Sequence, residues 1–223
     1  MKSLFGAVIL SAVVLFVSCG PTEIPKEEFS MQGIPRLAKY YGEPGQSGDT
    51  VYHKVPAVEL INQYGDTIST SIADGKISVV QLFFTSCEGI CPVISGNMTS
   101  VQKAFAGNDN VKIFSMSVDP ARDSVNALYA YSKRFKCDSL QWNLLTGDKK
   151  LIYDYVRYQL RLPAIEEGDG GEEDFIHTQN FALIDKEHHI RGFYDGTDSL
   201  EINRMIQDIR ILLNEYDYRD KNK

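Results

Sequence analysis

Apolar residues in this chain fall into short runs separated by polar turns. Residues 77–84 (Ile77-Ser78-Val79-Val80-Gln81-Leu82-Phe83-Phe84) are apolar nearly throughout, which predicts a central strand buried on both faces. Residues 111–118 predict the next strand, and Trp142-Asn143-Leu144-Leu145 a short third one. Helices are expected between them. One carries Pro92 in or near its first turn, where a missing N–H costs least, and runs to about Phe105. A second follows the turn at 119–124 and carries Val125, Leu128, Tyr129 and Tyr131 on to Phe135; a third covers 149–160. Upstream, 55–61 and 67–69 flank the turn Asn62-Gln63-Tyr64-Gly65-Asp66 and read as strand, turn, strand. Near the end, 181–184 and 190–194 predict a hairpin around 185–189. An amphipathic helix then closes the chain from Leu200 to about Tyr216, with Ile202, Met205, Ile206, Ile209, Leu212 and Leu213 at helical spacing.

The order is a β-hairpin followed by β-α-β-α-β-α-β-β-α. Alternating strands and helices imply parallel strand pairs covered by helices. With two thiols after the first crossover strand and a hairpin then helix at the end, this is an α/β, thioredoxin-like topology: a central mixed sheet flanked by helices, with an N-terminal β-hairpin. The domain is expected over 49–217, with a polar tail at 218–223. Residues 20–48 are polar and rich in Pro, Gly and Glu and read as a flexible tether. Residues 1–19 read as a signal peptide. Lys2 precedes an apolar stretch at 4–17, shorter than the roughly 20 residues a spanning helix needs. Phe16-Val17-Ser18-Cys19-Gly20 resembles the lipobox of bacterial lipoproteins, with Phe16 at the position usually held by Leu. That resemblance implies lipidation at Cys19; the alternative is an uncleaved N-terminal anchor. Either one puts the domain outside the cytoplasm, on the periplasmic side, anchored to a membrane.

The net charge of −7 and the lack of a basic stripe argue against nucleic acid as a partner. Besides Cys19 there are three cysteines, Cys87, Cys91 and Cys137. An odd number in an oxidising compartment does not describe a disulfide scaffold. Cys137 reads as a buried, inert thiol. Cys87 and Cys91 stand at i and i+4 directly after the central strand. If a helix starts at the first, both sulfurs share one face, and the helix N-terminus lowers thiol pKa. Two such sulfurs can hold a soft metal such as Cu(I), or they can cycle between dithiol and disulfide. Elsewhere, Met98 and Met116 sit at core positions, His53 is incidental, and His188-His189 are solvated turn residues. Asp119 and Arg122 follow a strand end, where they cap the next helix or pair locally; Asp119 could also orient the site from outside its ligands.

Three landmarks, in order over residues 50–215, resemble the Sco (SenC-type) copper chaperones. Cys87-Glu88-Gly89-Ile90-Cys91-Pro92 is similar to that family's CxxxCP motif. Ser117-Val118-Asp119-Pro120-Ala121-Arg122-Asp123-Ser124 resembles its second run. Phe175-Ile176-His177-Thr178, followed by 181–185, resembles its third. Many family members have Pro-Asp after the first Cys, where this chain has Glu88-Gly89. The resemblance implies one copper per domain, Cu(I) or Cu(II), on Cys87, Cys91 and His177. It also implies a metallochaperone that delivers copper to the CuA-bearing subunit of cytochrome c oxidase, or reduces that site's thiols, rather than a turnover enzyme. A thioredoxin-like reductant or another copper carrier is a further expected partner. The rival class is a thiol–disulfide oxidoreductase or thiol peroxidase using Cys87 and Cys91. The acidic run at 166–174 is expected to be a mobile loop before His177.

Overall fold

A computed structural model describes residues 28–29, 35–47, 49–162 and 178–222. Residues 1–19, read above as a signal peptide, with Cys19, the acidic run and His177, lie outside the described residues. Eleven strands and four α-helices are described: β1 (Glu28–Phe29), β2 (Pro35–Arg36), β3 (Gly42–Pro44), β4 (Thr50–Tyr52), β5 (Glu59–Asn62), β6 (Thr67–Ser69), β7 (Ile77–Phe83), α1 (Ile90–Ala104), β8 (Val111–Ser117), α2 (Val125–Phe135), β9 (Trp142–Thr146), α3 (Lys149–Asp154), β10 (Asn180–Ile184), β11 (Ile190–Asp195) and α4 (Ser199–Lys221). Seven strands form one sheet in the order β11-β10-β7-β8-β9-β5-β6. β7, β8 and β9 run parallel; β10 is antiparallel to β7, and the β5–β6 hairpin is antiparallel to β9. The expected mixed sheet and N-terminal hairpin are both present.

Every residue of β7 and of β8 is buried. Side chains alternate between two cores, as the two-residue period of a strand requires. Ile77, Val79 and Phe83 face a core with Ile94 and Met98 of α1, Leu128 and Tyr131 of α2, and Met205 and Ile209 of α4. Val80 and Leu82 face a second core with Val55, Val58, Met116 and the residues of 152–162. Met98 and Met116 are both fully buried. Gln81 sits in the middle of β7 with no exposure. Its Nε2 donates to Ser115 Oγ (2.7 Å) and more weakly to Ser95 Oγ (3.4 Å), and Trp142 Nε1 donates to the same Ser115 oxygen (2.8 Å). Burying an amide is tolerable only with such partners.

Three features depart from the sequence expectations. First, the stretch read as a tether is partly docked. β3 pairs with β4, Tyr40 N–H donates to Ile190 O, and Leu37 and Tyr40 pack against the two cores. Second, His189 is buried rather than solvated, 5% exposed. Its N–H donates to Asp185 Oδ1 (2.9 Å), and its ring lies near the Asp185 and Glu187 carboxylates. Turn residues are exposed by default; here Tyr52 stands edge-on to the His189 ring and Lys54 bridges to the His189 backbone, which covers it. His188 adopts a left-handed backbone (φ 69°) and pairs with Asp74. Third, the helix at 149–160 is α-helical only to Asp154 and continues as π-helical turns over Tyr155–Leu160. His53 Nε2 donates to the Gln159 carbonyl there (2.9 Å), so His53 anchors that segment.

Candidate metal and thiol site

The site is built where the central strand ends. After Phe83 the chain turns, Cys87 N–H donating to Phe84 O (3.3 Å), and α1 begins only at Ile90. Cys87 therefore lies outside the helix, so the condition of a helix starting at the first thiol is not met. Gly89 holds the N-cap position and has no side chain to accept from the open N–H groups of the first turn. The Cys87 sulfur takes that role: Cys91 N–H donates to Cys87 Sγ (3.4 Å). Pro92 falls in the first turn, where no intrahelical donor is lost.

The two thiols are not equivalent. Cys87 is half-buried and Cys91 is 3% exposed. Burial pushes the Cys87 thiol up, but hydrogen bonds from the Cys91 N–H and thiol and from the Gly89 and Ile90 N–H groups outweigh it, and the net shift is downward. Burial pushes the Cys91 thiol up to about 12; the Phe84 N–H works against this, and the thiol bond to Cys87 and the negative charges of Cys87 and Asp123 reinforce it. Cys87 is therefore the exposed sulfur that ionises first, and Cys91 the covered sulfur that keeps its proton. Alkylation of the reduced protein at pH 7.5 is expected to modify Cys87 at least about tenfold faster than Cys91, read by mass spectrometry of quenched time points. Equal rates would contradict this asymmetry.

Three supports fix the pair. Tyr131 OH donates to the Cys91 carbonyl (3.3 Å) and lies 3.0 Å from Ser95 Oγ, which links the first turn of α1 to the Gln81–Ser115–Trp142 chain in the core. Val118 N–H donates to Phe83 O (2.9 Å), which ties the ends of β7 and β8 together. The third support was not legible as such in the sequence. Asp123, fully buried, accepts from Thr85 N–H (3.0 Å), Thr85 Oγ1 (2.5 Å) and Ser117 Oγ (2.5 Å). Asp119 pairs locally with Arg122 (3.2 Å), one of the roles expected of these two residues. Ser124 is the N-cap of α2, accepting from Ala127 N–H.

Beside Cys91 opens a small cleft whose walls include Phe84, Ile90, Cys91, Val118, Thr178 and Gln179. Thr178 is the residue after His177. Among the described residues no group of three His, Cys, Asp or Glu side chains is placed to hold a metal ion, so the described site offers two soft sulfur donors. Cys137 is half-buried, unpaired, and held up to about 12 by burial.

A dithiol at the strand-to-helix junction of a thioredoxin-like sheet defines a class of thiol- and metal-handling proteins. The SCO1/SenC family model matches residues 48–214, and the chain belongs to that family. The SCO1 protein homolog of Bacillus subtilis (strain 168) is 28% identical over 167 residues, covering 74% of this chain and 86% of the relative. Among solved structures, a SCO1/SenC family lipoprotein from Bacillus anthracis str. Ames superposes with a TM-score of 0.62 at 27% identity, covering 79% of this chain and 99% of that one. BsSco is a member of the Sco family of cytochrome c oxidase assembly proteins in which a disulfide switch was identified. It gives a TM-score of 0.60 at 27% identity, covering 73% and 94%.

Proposed function

We propose that this chain is a membrane-tethered, extracytoplasmic copper carrier of respiratory oxidase assembly. Cys87 and Cys91 as thiolates and His177 through its imidazole take one copper ion as cargo, and the acceptor is the CuA-bearing subunit of a cytochrome c oxidase. The observation that carries the reading is the pairing of two soft sulfurs beside a cleft lined by Thr178, the residue that follows His177 in the sequence. Thiolates select Cu(I), and an imidazole added to them makes a site that also accepts Cu(II). The half-buried Cys87 gives a partner's ligand a point of attack, so the ion can leave by ligand exchange. The anchor is a lipid on Cys19; the likeness to a SCO1/SenC family lipoprotein supports it. Among the described residues no helix is long and apolar enough to cross a membrane.

A second reading has its own observation. The low Cys87 and high Cys91 thiols are the arrangement of an attacking and a resolving sulfur, so the pair can reduce the acceptor's oxidised thiols: Cys87 thiolate attacks one sulfur of the partner disulfide and releases the other as thiolate, and Cys91 then displaces the second, leaving the Cys87–Cys91 disulfide. Likeness to a relative with a disulfide switch supports it. Copper titration of the reduced protein, wild type against His177→Ala, decides. A 1:1 complex with a thiolate-to-Cu(II) band, lost or shifted in the variant, is expected. No copper bound by either protein, with both reducing disulfides at equal rates, would leave only the second reading.

A further inference from the structure

The buried Asp123 carboxylate is the one strongly placed group near the thiols that ligation does not use. It is 0% exposed and lies in the loop between β8 and α2. Its two oxygens take four contacts from three donors: Thr85 N–H at 3.0 and 3.2 Å, Thr85 Oγ1 at 2.5 Å and Ser117 Oγ at 2.5 Å. Ser117 Oγ also accepts from Asp119 N–H (3.1 Å), so its own proton points at the carboxylate. Among the described residues no ion pair joins Asp123 to a Lys, Arg or His; the neighbouring Arg122 is turned to Asp119. An anion sealed from water and satisfied only by neutral donors keeps most of its field, because no counter-charge cancels it and no solvent screens it. Thr85, which makes three of these contacts, lies two residues before Cys87, so the charge sits directly behind the turn that carries that sulfur.

We propose that Asp123 is a positioning residue with an electrostatic duty: through Thr85 it fixes the turn that carries Cys87, and as a buried anion it biases the site toward the more highly charged copper ion. This rests on the copper reading above. Thr85 stands two residues before Cys87, so its two bonds to one carboxylate set where that turn leaves the sheet. Holding the turn affects both copper ions alike, whereas a fixed negative charge favours Cu(II) over Cu(I) by one extra unit of charge. At the separation of a buried group behind the ligand turn, that difference is on the order of tenfold in relative affinity.

The test compares wild type, Asp123→Asn and Thr85→Val for Cu(I) affinity by competition with a chromophoric chelator, and for Cu(II) affinity by the thiolate charge-transfer band. Asp123→Asn is nearly isosteric and removes the charge. It is expected to lower the Cu(II)-to-Cu(I) affinity ratio about tenfold. Thr85→Val keeps the charge and loses one donor; it is expected to weaken both ions together and leave the ratio in place. An unchanged ratio in Asp123→Asn, or an equal shift in Thr85→Val, overturns the proposal. Should Asp123→Asn fail to fold, Asp123→Asn combined with Ser117→Ala, which removes the hydroxyl donor left facing the amide, carries the test: the same fall in the ratio is expected, and an unchanged ratio overturns the proposal. A wild type that binds neither ion sinks the copper reading and this proposal with it; a wild type that binds both, with no shift in Asp123→Asn, sinks this proposal alone.

Discussion

Cu(I) binding to the reduced protein is expected to tighten by at least about tenfold per pH unit between pH 7 and pH 9, and Cys91→Ser to remove most of both the affinity and the slope. The sign follows from the two thiols. Hydrogen bonds at the helix start bring Cys87 down, so it gives up its proton first, whereas Cys91, buried, keeps its proton up to about 12. A complex on two thiolates therefore expels the Cys91 proton throughout this window. Raising the pH makes that release cheaper, and affinity climbs until the pH passes the Cys91 pKa. Below the range in which Cys87 is ionised, two protons leave and the slope steepens. Cys91→Ser takes away a ligand rather than a support, so its cost exceeds the roughly 10–100-fold typical of losing an outer partner of a metal ligand. Competition against a chromophoric Cu(I) chelator from pH 6.5 to 9, in both proteins under reductant, measures this. A flat wild-type profile, or full affinity in Cys91→Ser, would refute the dithiolate site. Oxidation to a Cys87–Cys91 disulfide removes the same two sulfurs, so the reductant is part of the test.

The strands and helices of the sheet were legible because each is marked by its own period. β7 and β8 are buried over seven residues each and leave runs of apolar side chains, and α2 begins and ends where its apolar spacing does. Cys87 and Cys91 stood out because two soft sulfurs so close together are a chemical signal in themselves. The features that were not legible are set by contacts between distant segments. α1 starts three residues late because Gly89 cannot cap and the Cys87 sulfur does, a detail of one turn's backbone. Asp123 is one of two aspartates in a five-residue stretch. Which of them lies under the thiol turn depends on Thr85, 38 residues earlier, and no local pattern records that pairing. His189 reads as a polar turn residue; its burial comes from the carboxylates of its own hairpin and the N-terminal segment laid beside it. The docking of that segment was hidden for the same reason. Its composition is that of a linker, and what holds it is a cation on β11 about 150 positions away.

That cation supplies the second large effect: Arg191→Met is expected to destabilise the fold by about 3–5 kcal/mol. Arg191 is 1% exposed at its side chain. It donates to Asp185 Oδ2 (2.7 Å) and Glu215 Oε2 (2.9 Å), whose side chains are 0% and 3% exposed. Its remaining donors reach the carbonyls of Ala38 (3.2 Å) and Leu37. One guanidinium thus bridges two buried carboxylates and fastens residues 37 and 38 beside β11. Burial works against its charge, and the hydrogen bond to Asp185, with the field of Glu215, more than restores it. Removing it takes from two buried carboxylates the guanidinium they share and from two carbonyls a donor, which is why the cost far exceeds the roughly 0–1 kcal/mol of a surface ion pair. The control is Arg191→Met combined with Glu215→Leu, which removes one stranded charge. It should recover part of the loss, because an apolar replacement of a buried ion pair is often neutral. Urea midpoints for the three proteins measure this. A loss below about 1 kcal/mol in Arg191→Met would mean that water reaches the cluster and screens it. The cluster sits at the turn between β10 and β11, whereas the thiols follow the far end of β7, which pairs antiparallel with β10. The folded fraction of Arg191→Met should therefore keep its copper stoichiometry, which separates a destabilised fold from a damaged site.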